Sequence, residues 1–258
     1  MTACVPHARV QFTPNVPDSA RQVIAHLLPL LMMRHRRIPR AKWRDMVNQN
    51  GKHYIEQDCD SAMNPTHKLR SMIGYHLAYD NNVVGMVMTQ GRQKDVVNIG
   101  LGIKQLAVYP PDAPVGAYAE SFYHKLTAME QSFIKPDEGD DVVLRRLCLM
   151  LALKQAYIKA IGQPIGFDWT RLEFDIPKES ATGDGIPLQG WEFRVWQTQI
   201  QITRNGQPVR ESYQCACAFF RGSRESKFIW QKEQKDLESW VQFINLDQLV
   251  NVVPKLTD

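Results

Sequence analysis

Residues 144–162 constrain the fold of this chain more than any other segment. Apolar residues recur there at spacings of three and four, and the segment is rich in Leu, Ala, Lys and Gln, which favour helix formation. Asp140 and Asp141 offer a cap and acidic charges at its start. Gly162 and Pro164 close it. We therefore predict a long buried helix, against which the rest of the chain must pack.

The composition limits where such a chain can work. With 258 residues, of which 44% are hydrophobic, it can build one large core or two smaller ones. The apolar run at residues 24–33 is too short to span a membrane, contains a proline and follows no basic leader. Five cysteines without framework spacing indicate reduced thiols, and a net charge of +4 suits contact with phosphates or an acidic partner. We expect a cytoplasmic protein that binds neither membranes nor nucleic acids.

Hydrophobic periodicity predicts an alternation of helices and strands along the chain. Further helices are predicted over residues 19–34 and 117–135, and residues 237–252 form a helical or extended tail. Strands are predicted around residues 73–109 and 167–221, the second group starting with a strand at 167–175. Turn signals at residues 80–82 and 205–206 join neighbouring strands into hairpins. This order predicts an α+β fold with antiparallel hairpins in both halves.

The densest basic stretch of the chain covers residues 34–44. One interpretation is a solvated helix end, where arginines stabilise the C-terminal end of the helix dipole. The other is a platform for phosphate groups, which arginine binds through two parallel hydrogen bonds. The sequence leaves both interpretations open.

The polar interruptions of the long helix follow the spacing of a known signature. Lys154, Gln155 and Lys159 correspond to the last part of W-x-x-K-E-x-x-x-K, and we expect them to line a cleft or the solvent. The chain therefore resembles the larger, monomeric phosphopantetheinyl transferases, in their eukaryotic aminoadipate-semialdehyde-associated branch. Within this signature Leu151 replaces the Trp. Gln155 replaces a Glu that binds magnesium in the family.

A second family motif, L-G-[IV]-D-[IV], supplies the central magnesium ligand in relatives. We align it with residues 99–102, which puts Gly102 at the Asp and Lys104 where some relatives carry a second acid. Magnesium requires hard oxygen ligands, usually including carboxylates, so the resemblance with these replacements predicts a degenerate metal site. Glu130 matches the acid of a third motif, F-S-x-x-E. On sequence grounds alone, we expect Glu130 to be an ordinary helix-surface residue.

The coenzyme A motifs of the family are altered as well. Lys52 belongs to a G-[KR]-P element whose proline is replaced by His53. Ala78 and Tyr79 stand where relatives carry the Ser and His that touch a coenzyme A phosphate. In the family, basic residues of the N-terminal half hold the nucleotide end of coenzyme A. The resemblance therefore implies the following coenzyme-binding positions: Arg37, Arg40, Lys52 and Tyr79.

The resemblance also implies an architecture. We expect two similar α/β subdomains, each a helix packed on a three-stranded sheet, related by pseudo-twofold symmetry with the site between them. We assign residues 1–110 to the N-terminal subdomain and residues 111–258 to the C-terminal one. The protein is expected to be a monomer.

Two classes of function are compatible with these replacements. In the first, the protein is a pseudoenzyme that no longer transfers phosphopantetheine and uses neither coenzyme A nor magnesium. It is then repurposed in secondary-metabolite (polyketide or peptide) biosynthesis, either as a cyclase- or isomerase-type catalyst on an apolar intermediate or as a binding partner of a carrier protein or synthase. Candidate catalytic residues are Lys104, Lys154, Tyr157 and Lys159. In the second class it is a genuine holo-carrier-protein synthase with an altered metal site.

Overall fold

The computed structural model describes residues 12–58, 72–163 and 165–256. Its helices are α1 (Pro17–His35), α2 (Gln93–Val96), α3 (Val115–Glu120), α4 (Ala128–Phe133), α5 (Asp140–Ala160), α6 (Gln234–Glu238) and α7 (Leu246–Val252). Its strands are β1 (Trp43–Val47), β2 (His53–Gln57), β3 (Met72–Asp80), β4 (Val83–Gly91), β5 (Ile99–Gln105), β6 (Leu172–Asp175), β7 (Ser180–Gly183), β8 (Ile186–Pro187), β9 (Trp191–Arg204), β10 (Gln207–Phe220) and β11 (Lys227–Gln231). Pro164, which was expected to follow the long helix, lies outside the described residues.

The long helix predicted from the sequence is α5. Gly139 is its N-cap residue, so the helix starts without a side-chain cap, and Asp140 and Asp141 lie in the first turn. Their negative charges suit the positive end of the helix dipole. The helix buries more than one stripe of its surface, because residues as far apart in angle as Leu147, Met150 and Leu153 have no exposed area. The predicted buried helix is confirmed.

One sheet, with strand order β11-β9-β10-β5, provides the surface on which α5 packs. Strands β9 and β10 form a long antiparallel hairpin, and β11 runs parallel to β9. The turn residues Asn205 and Gly206 both have positive φ, as a two-residue type I′ turn requires. The hairpin predicted at residues 205–206 is therefore confirmed.

Two predicted elements are shorter in the structure. Residues 117–135 do not form one helix, because Thr127 and Glu130 build a capping box that starts α4 separately from α3. The strand predicted over 167–175 is confined to β6, which follows a 3₁₀ turn at Trp169–Arg171. Both differences come from local hydrogen bonds that apolar periodicity does not register.

The first sheet, with strand order β1-β2-β3-β4, carries α1 on one face. Pro17 opens α1 at a position where its missing N–H is not needed. Leu27 and Met33 of α1 are fully buried in a core that also contains Ile55. The β3–β4 hairpin turns at Asn81, which has a φ of 45°. The predicted helix at 19–34 and the hairpin at 80–82 are confirmed.

The contacts divide the chain into two compact units. One holds the residues up to Val97 together with those from Lys235 onward, and the other holds Asn98–Gln234. Each unit contains one long helix packed on a sheet of four strands, where the resemblance implied three, and the α+β class is confirmed. The contacts group β5 with the second unit, while the subdomain boundary at 110/111 stays a prediction. None of the described helices is long and apolar enough to cross a membrane.

Candidate functional site

Helix α5 approaches strand β5 so closely that two strand positions must be glycine. A Cβ atom on Gly102 would lie 2.0 Å from the backbone oxygen of Ala152. A Cβ atom on Gly100 would lie 2.0 Å from the backbone oxygen of Ala156. Because no side chain fits at either position, helix packing by itself accounts for Gly102. Its interpretation as a position that has lost a carboxylate is not needed.

This contact favours a shifted alignment of the second family motif. Leu101, Gly102 and Ile103 read L-G-I, so the motif's own glycine then falls on a position that requires glycine. In this alignment Lys104 corresponds to the Asp, and Leu106 corresponds to the second acid. The letters that carry this alignment are visible in the sequence. Because either Gly100 or Gly102 can match the glycine of the motif, the sequence alone allows both alignments, and the packing of α5 distinguishes them.

Gln155 on α5 and strand β5 are in direct contact. The Gln155 side-chain oxygen Oε1 accepts a hydrogen bond from the backbone N–H of Ile103 at 3.3 Å. Lys104, which is half-buried, follows Ile103 on the strand. The structure therefore brings together the two elements that carry the altered metal-site letters. The polar groups at this contact are the amide of Gln155 and the ammonium group of Lys104.

Lys125, which was not predicted from the sequence, lies close enough to Lys104 for the two positive charges to repel each other. Burial and the positive charge of Lys104 lower the pKa of the Lys125 ammonium group. The Lys125 Nζ atom also lies 5.1 Å from the centre of the Trp169 ring and 5.3 Å from that of Phe122, within range of cation–π attraction. Two neighbouring ammonium groups attract an anion and repel a metal ion. No local sequence pattern marks Lys125, because Lys104 and Trp169 are distant from it in sequence.

Lys154 does not line a cleft or the solvent, and that expectation is wrong. Its side chain has no exposed area. The Nζ atom donates hydrogen bonds to the backbone oxygens of Lys125 at 2.9 Å, Trp169 at 2.8 Å and Leu172 at 2.6 Å. It also forms an ion pair of 2.6 Å with Glu130. Burial lowers the pKa of Lys154, and the charge of Glu130 opposes that effect. Lys154 thus holds three separate chain segments in place.

Glu130 is the buried partner of this lysine, so its interpretation as a helix-surface residue is wrong. Its Oε1 atom accepts from the backbone N–H of Phe174, and its Oε2 atom accepts from that of Thr127, both at 2.9 Å. Burial raises the pKa of Glu130, while the charge of Lys154 opposes that shift. The spacing of Thr127 and Glu130 is the signal that could have identified this role, since T-x-x-E is the capping-box pattern.

The two remaining candidates, Tyr157 and Lys159, lie on different faces of α5. The half-buried Tyr157 ring packs edge-on against Trp191, with ring centres 4.8 Å apart. Burial and the negative charge of Asp184 raise the pKa of Tyr157, so the phenol stays protonated and can donate a hydrogen bond. Lys159 is half-buried in the last turn of α5, four residues after Gln155 and on the same face.

The residues at this contact do not fit a magnesium ion. Lys104 and Gln155 provide no carboxylate, and Gly102 provides no side chain. Across the described ranges, no group of three or more His, Cys, Asp or Glu side chains could hold a metal ion. A magnesium ion takes one or two carboxylates in addition to phosphate oxygens and water. The donor set found here suits anions instead.

The four predicted coenzyme-binding residues all belong to the first unit, and the structure brings two of them together. Arg37 and Arg40 line one cavity of about 400 Å³ where α1 ends. Lys52, in the turn before β2, is buried, and Tyr79 on β3 is half-buried. Neither Lys52 nor Tyr79 is part of that cavity's lining.

A polar cluster in the first sheet also escaped sequence reasoning. The Nδ1 atom of His53 lies 3.1 Å from the Oδ2 atom of Asp45. The hydroxyl of Tyr75 donates to the Oδ1 atom of Asp45 at 2.9 Å. Burial and the Asp45 charge raise the pKa of Tyr75. The cluster spans β1, β2 and β3, and it was missed because no strand was predicted at residues 43–47.

The chain is similar to a protein of known name over most of its length. Over 185 residues the chain is 30% identical to 4'-phosphopantetheinyl transferase pptA of Paxillus involutus. The match covers 70% of this chain and 66% of the relative, just under two thirds of its length. No protein-family model matches the chain.

Proposed function

Because the chain belongs to the phosphopantetheinyl transferase superfamily, we propose that it is a transferase-like protein that has lost magnesium-dependent transfer of phosphopantetheine. The observation that carries the proposal is the chemistry of the contact between α5 and β5. The amide oxygen of Gln155 accepts a hydrogen bond from the Ile103 N–H, and Lys104, the next residue on the strand, is a cation. Under either alignment of the second motif, no carboxylate occupies a position that binds metal in the family.

The physical argument rests on how phosphoryl transfer is catalysed. The protein supplies little covalent chemistry, so the rate depends on positioning the reactants and on stabilising developing negative charge. A lysine beside the metal position repels a dication instead of binding it. Lysines could still attract a pyrophosphate, but an ammonium group does not bridge and align two phosphates as a magnesium ion does. Neither magnesium nor coenzyme A is therefore needed in the proposed function.

The proposed role is in secondary-metabolite biosynthesis of polyketides or peptides. The protein acts there as a binding partner of a carrier protein or synthase, or as a cyclase- or isomerase-type catalyst on an apolar intermediate. Lys104, Lys125 and Lys159 support either use, because they present cations to an anionic partner or intermediate. Tyr157 supports the catalytic use as a protonated hydrogen-bond donor.

A second candidate is a working holo-carrier-protein synthase with an altered metal site. It is favoured by the 30% identity to a protein named as a transferase. The close packing of α5 on β5 also keeps the two motif-bearing elements in contact.

The deciding experiment measures ligand binding and transfer together. Calorimetry with coenzyme A, with and without magnesium, is combined with mass detection of a carrier protein that gains a phosphopantetheine arm. We expect no magnesium-dependent binding and an unmodified carrier. Magnesium-dependent binding with a modified carrier would establish the second candidate instead.

A restored variant serves as the matched control for this experiment. Gln155→Glu keeps an acceptor for the Ile103 N–H, and Lys104→Asp returns a carboxylate to the strand. We expect the double variant to gain measurable magnesium binding that the parent chain lacks. If the double variant gains no magnesium binding, the loss of these two carboxylates does not explain the proposed loss of the metal site.

A further inference from the structure

The amine of Lys125 extends from a backbone position that is anchored to the core of the second unit. Lys125 ends a 3₁₀ turn, and its backbone oxygen accepts a hydrogen bond from the buried Lys154 Nζ atom at 2.9 Å. The same Nζ atom donates to the backbone oxygen of Trp169 at 2.8 Å. The half-buried Lys125 amine lies 5.1 Å from the centre of the Trp169 ring and 5.3 Å from that of Phe122. One buried lysine thus positions both the amine and one of its two aromatic neighbours.

Within the described part of the chain, the Lys125 amine has no counter-ion. No carboxylate there forms an ion pair with its Nζ atom, and no group accepts a hydrogen bond from it. Glu130, the buried carboxylate of this region, is paired with Lys154. The charged group that acts on Lys125 is instead a second cation, the half-buried Lys104. A carboxylate partner would stabilise the ammonium form of Lys125, whereas a neighbouring cation destabilises it.

Burial and the Lys104 charge act on Lys125 in the same direction, because each lowers its pKa. A lower pKa raises the fraction of neutral amine, and only the neutral amine carries the lone pair that attacks a carbonyl carbon. Desolvation and a cationic neighbour are the two means by which proteins activate a lysine as a nucleophile. The contrast is Lys178, an exposed lysine whose pKa is raised by its hydrogen bond and ion pair with Asp175.

From this arrangement we propose that Lys125 is a nucleophile that forms an imine with an apolar or aromatic aldehyde or ketone. The neutral amine attacks the carbonyl carbon, a C–N bond forms, the oxygen gains a proton and the nitrogen loses one. The resulting carbinolamine loses its oxygen as water, which leaves a C=N bond to the lysine. This step consumes no oxidant, reductant or metal. The rings of Phe122 and Trp169 provide apolar contacts for the organic part of the carbonyl compound.

This inference goes beyond the proposed function, in which Lys125 only presents a positive charge. It stands whether or not the protein transfers phosphopantetheine, because the amine, its two rings and Lys104 belong to the chain in either case. Binding of coenzyme A and modification of a carrier protein therefore do not test it. It needs a measurement of the chemical reactivity of Lys125 itself.

Benzaldehyde with sodium cyanoborohydride is the probe, because the reductant converts an imine into a stable secondary amine. The full chain is treated at neutral pH with limiting aldehyde, and mass spectrometry of its peptides locates the added benzyl groups. We expect Lys125 to be labelled roughly tenfold or more faster than Lys135, an exposed lysine of the same unit. Lys125→Arg keeps the positive charge and should abolish labelling at this position. The matched control, Lys135→Arg, should leave the labelling of Lys125 unchanged.

Variants of Lys104 distinguish an activated amine from one that is only accessible. Lys104→Met removes the neighbouring charge and is expected to slow the labelling of Lys125 roughly threefold or more. Lys104→Arg keeps the charge and should retain the rate of the parent chain. Thermal unfolding of each variant confirms that the labelled protein is folded. Labelling of Lys125 no faster than that of Lys135 in the parent chain would overturn the proposal, as would an unchanged rate in a folded Lys104→Met chain.

Discussion

At the scale of single residues, Lys154 and Glu130 show how one ion pair can organise a loop-rich region. Neither side chain has any exposed area, and both make hydrogen bonds with backbone groups in addition to their 2.6 Å contact. Removing charges from water is costly, so such a pair persists only where further hydrogen bonds satisfy both groups. Here Lys154 reaches three carbonyl oxygens and Glu130 accepts two N–H groups. The pair therefore holds the segments around Lys125, Trp169 and Leu172.

Replacing Lys154→Met is expected to destabilise the protein by about 3–5 kcal/mol, because it leaves the Glu130 carboxylate buried without a cation. Urea unfolding measures this change. Adding Glu130→Gln should recover part of the loss, since the uncompensated charge is then gone. The matched control is Lys178→Met, which removes the ion pair between a largely exposed lysine and Asp175. This change is expected to lower the free energy of unfolding by about 0–1 kcal/mol. Equal effects of the two lysine variants would refute this account of Lys154.

At the scale of elements, the seating of α5 on β5 depends on the absence of side chains. Gly100 and Gly102 allow the backbone of the helix to approach the strand, and Gln155 then reaches the Ile103 N–H. The same close approach brings the helix face of Gln155 and Lys159 to the strand that carries Lys104. The candidate site is thus a product of how two elements pack.

Gly102→Ala should therefore destabilise the chain by about 1–3 kcal/mol or more, because its Cβ would meet a backbone oxygen at 2.0 Å. The control is Gly116→Ala in α3, where a Cβ would have no neighbour within 4 Å. Alanine in a helix is expected to stabilise by about 0.5–1 kcal/mol there. Thermal unfolding of both variants gives the comparison. A Gly102→Ala chain as stable as the parent would show that α5 does not sit this close to β5.

At the scale of the whole molecule, acid sensitivity should come from the second unit. Several of its carboxyl groups have lowered pKa values because neighbouring groups hydrogen-bond to the ionised form, which outweighs the raising effect of burial in each of them. They are Asp168, Asp175 and Asp184. In Glu192, whose pKa is also lowered, burial is the largest single effect, but the hydrogen bonds and charges of its two arginine neighbours together exceed it. A carboxyl whose pKa is lower in the folded state adds stability above its ordinary pKa, and this stability is lost as pH falls.

The midpoint of thermal unfolding is accordingly expected to drop between about pH 6 and about pH 3. Three of these carboxyl groups are close to the surface, so each contributes little. Glu192, which is paired with Arg194 and Arg221, is the most enclosed of the four. Glu192→Gln should therefore lose less stability on acidification than the parent chain. A Glu192→Gln chain that loses as much stability as the parent on acidification would contradict the lowered pKa of Glu192.

The sequence by itself determined the features that depend on local chemistry. Periodic apolar residues specified α5, turn residues specified the hairpin at Asn205 and Gly206, and motif letters pointed to the family. Only the tertiary structure decided that Lys154 is enclosed, that Gly102 is required by packing and that Lys104 acts on Lys125. The cavity at the end of α1 likewise joins residues more than 200 positions apart. The reason is physical: periodicity and turn chemistry act over a few residues, whereas burial, charge coupling and close packing depend on which distant segments meet.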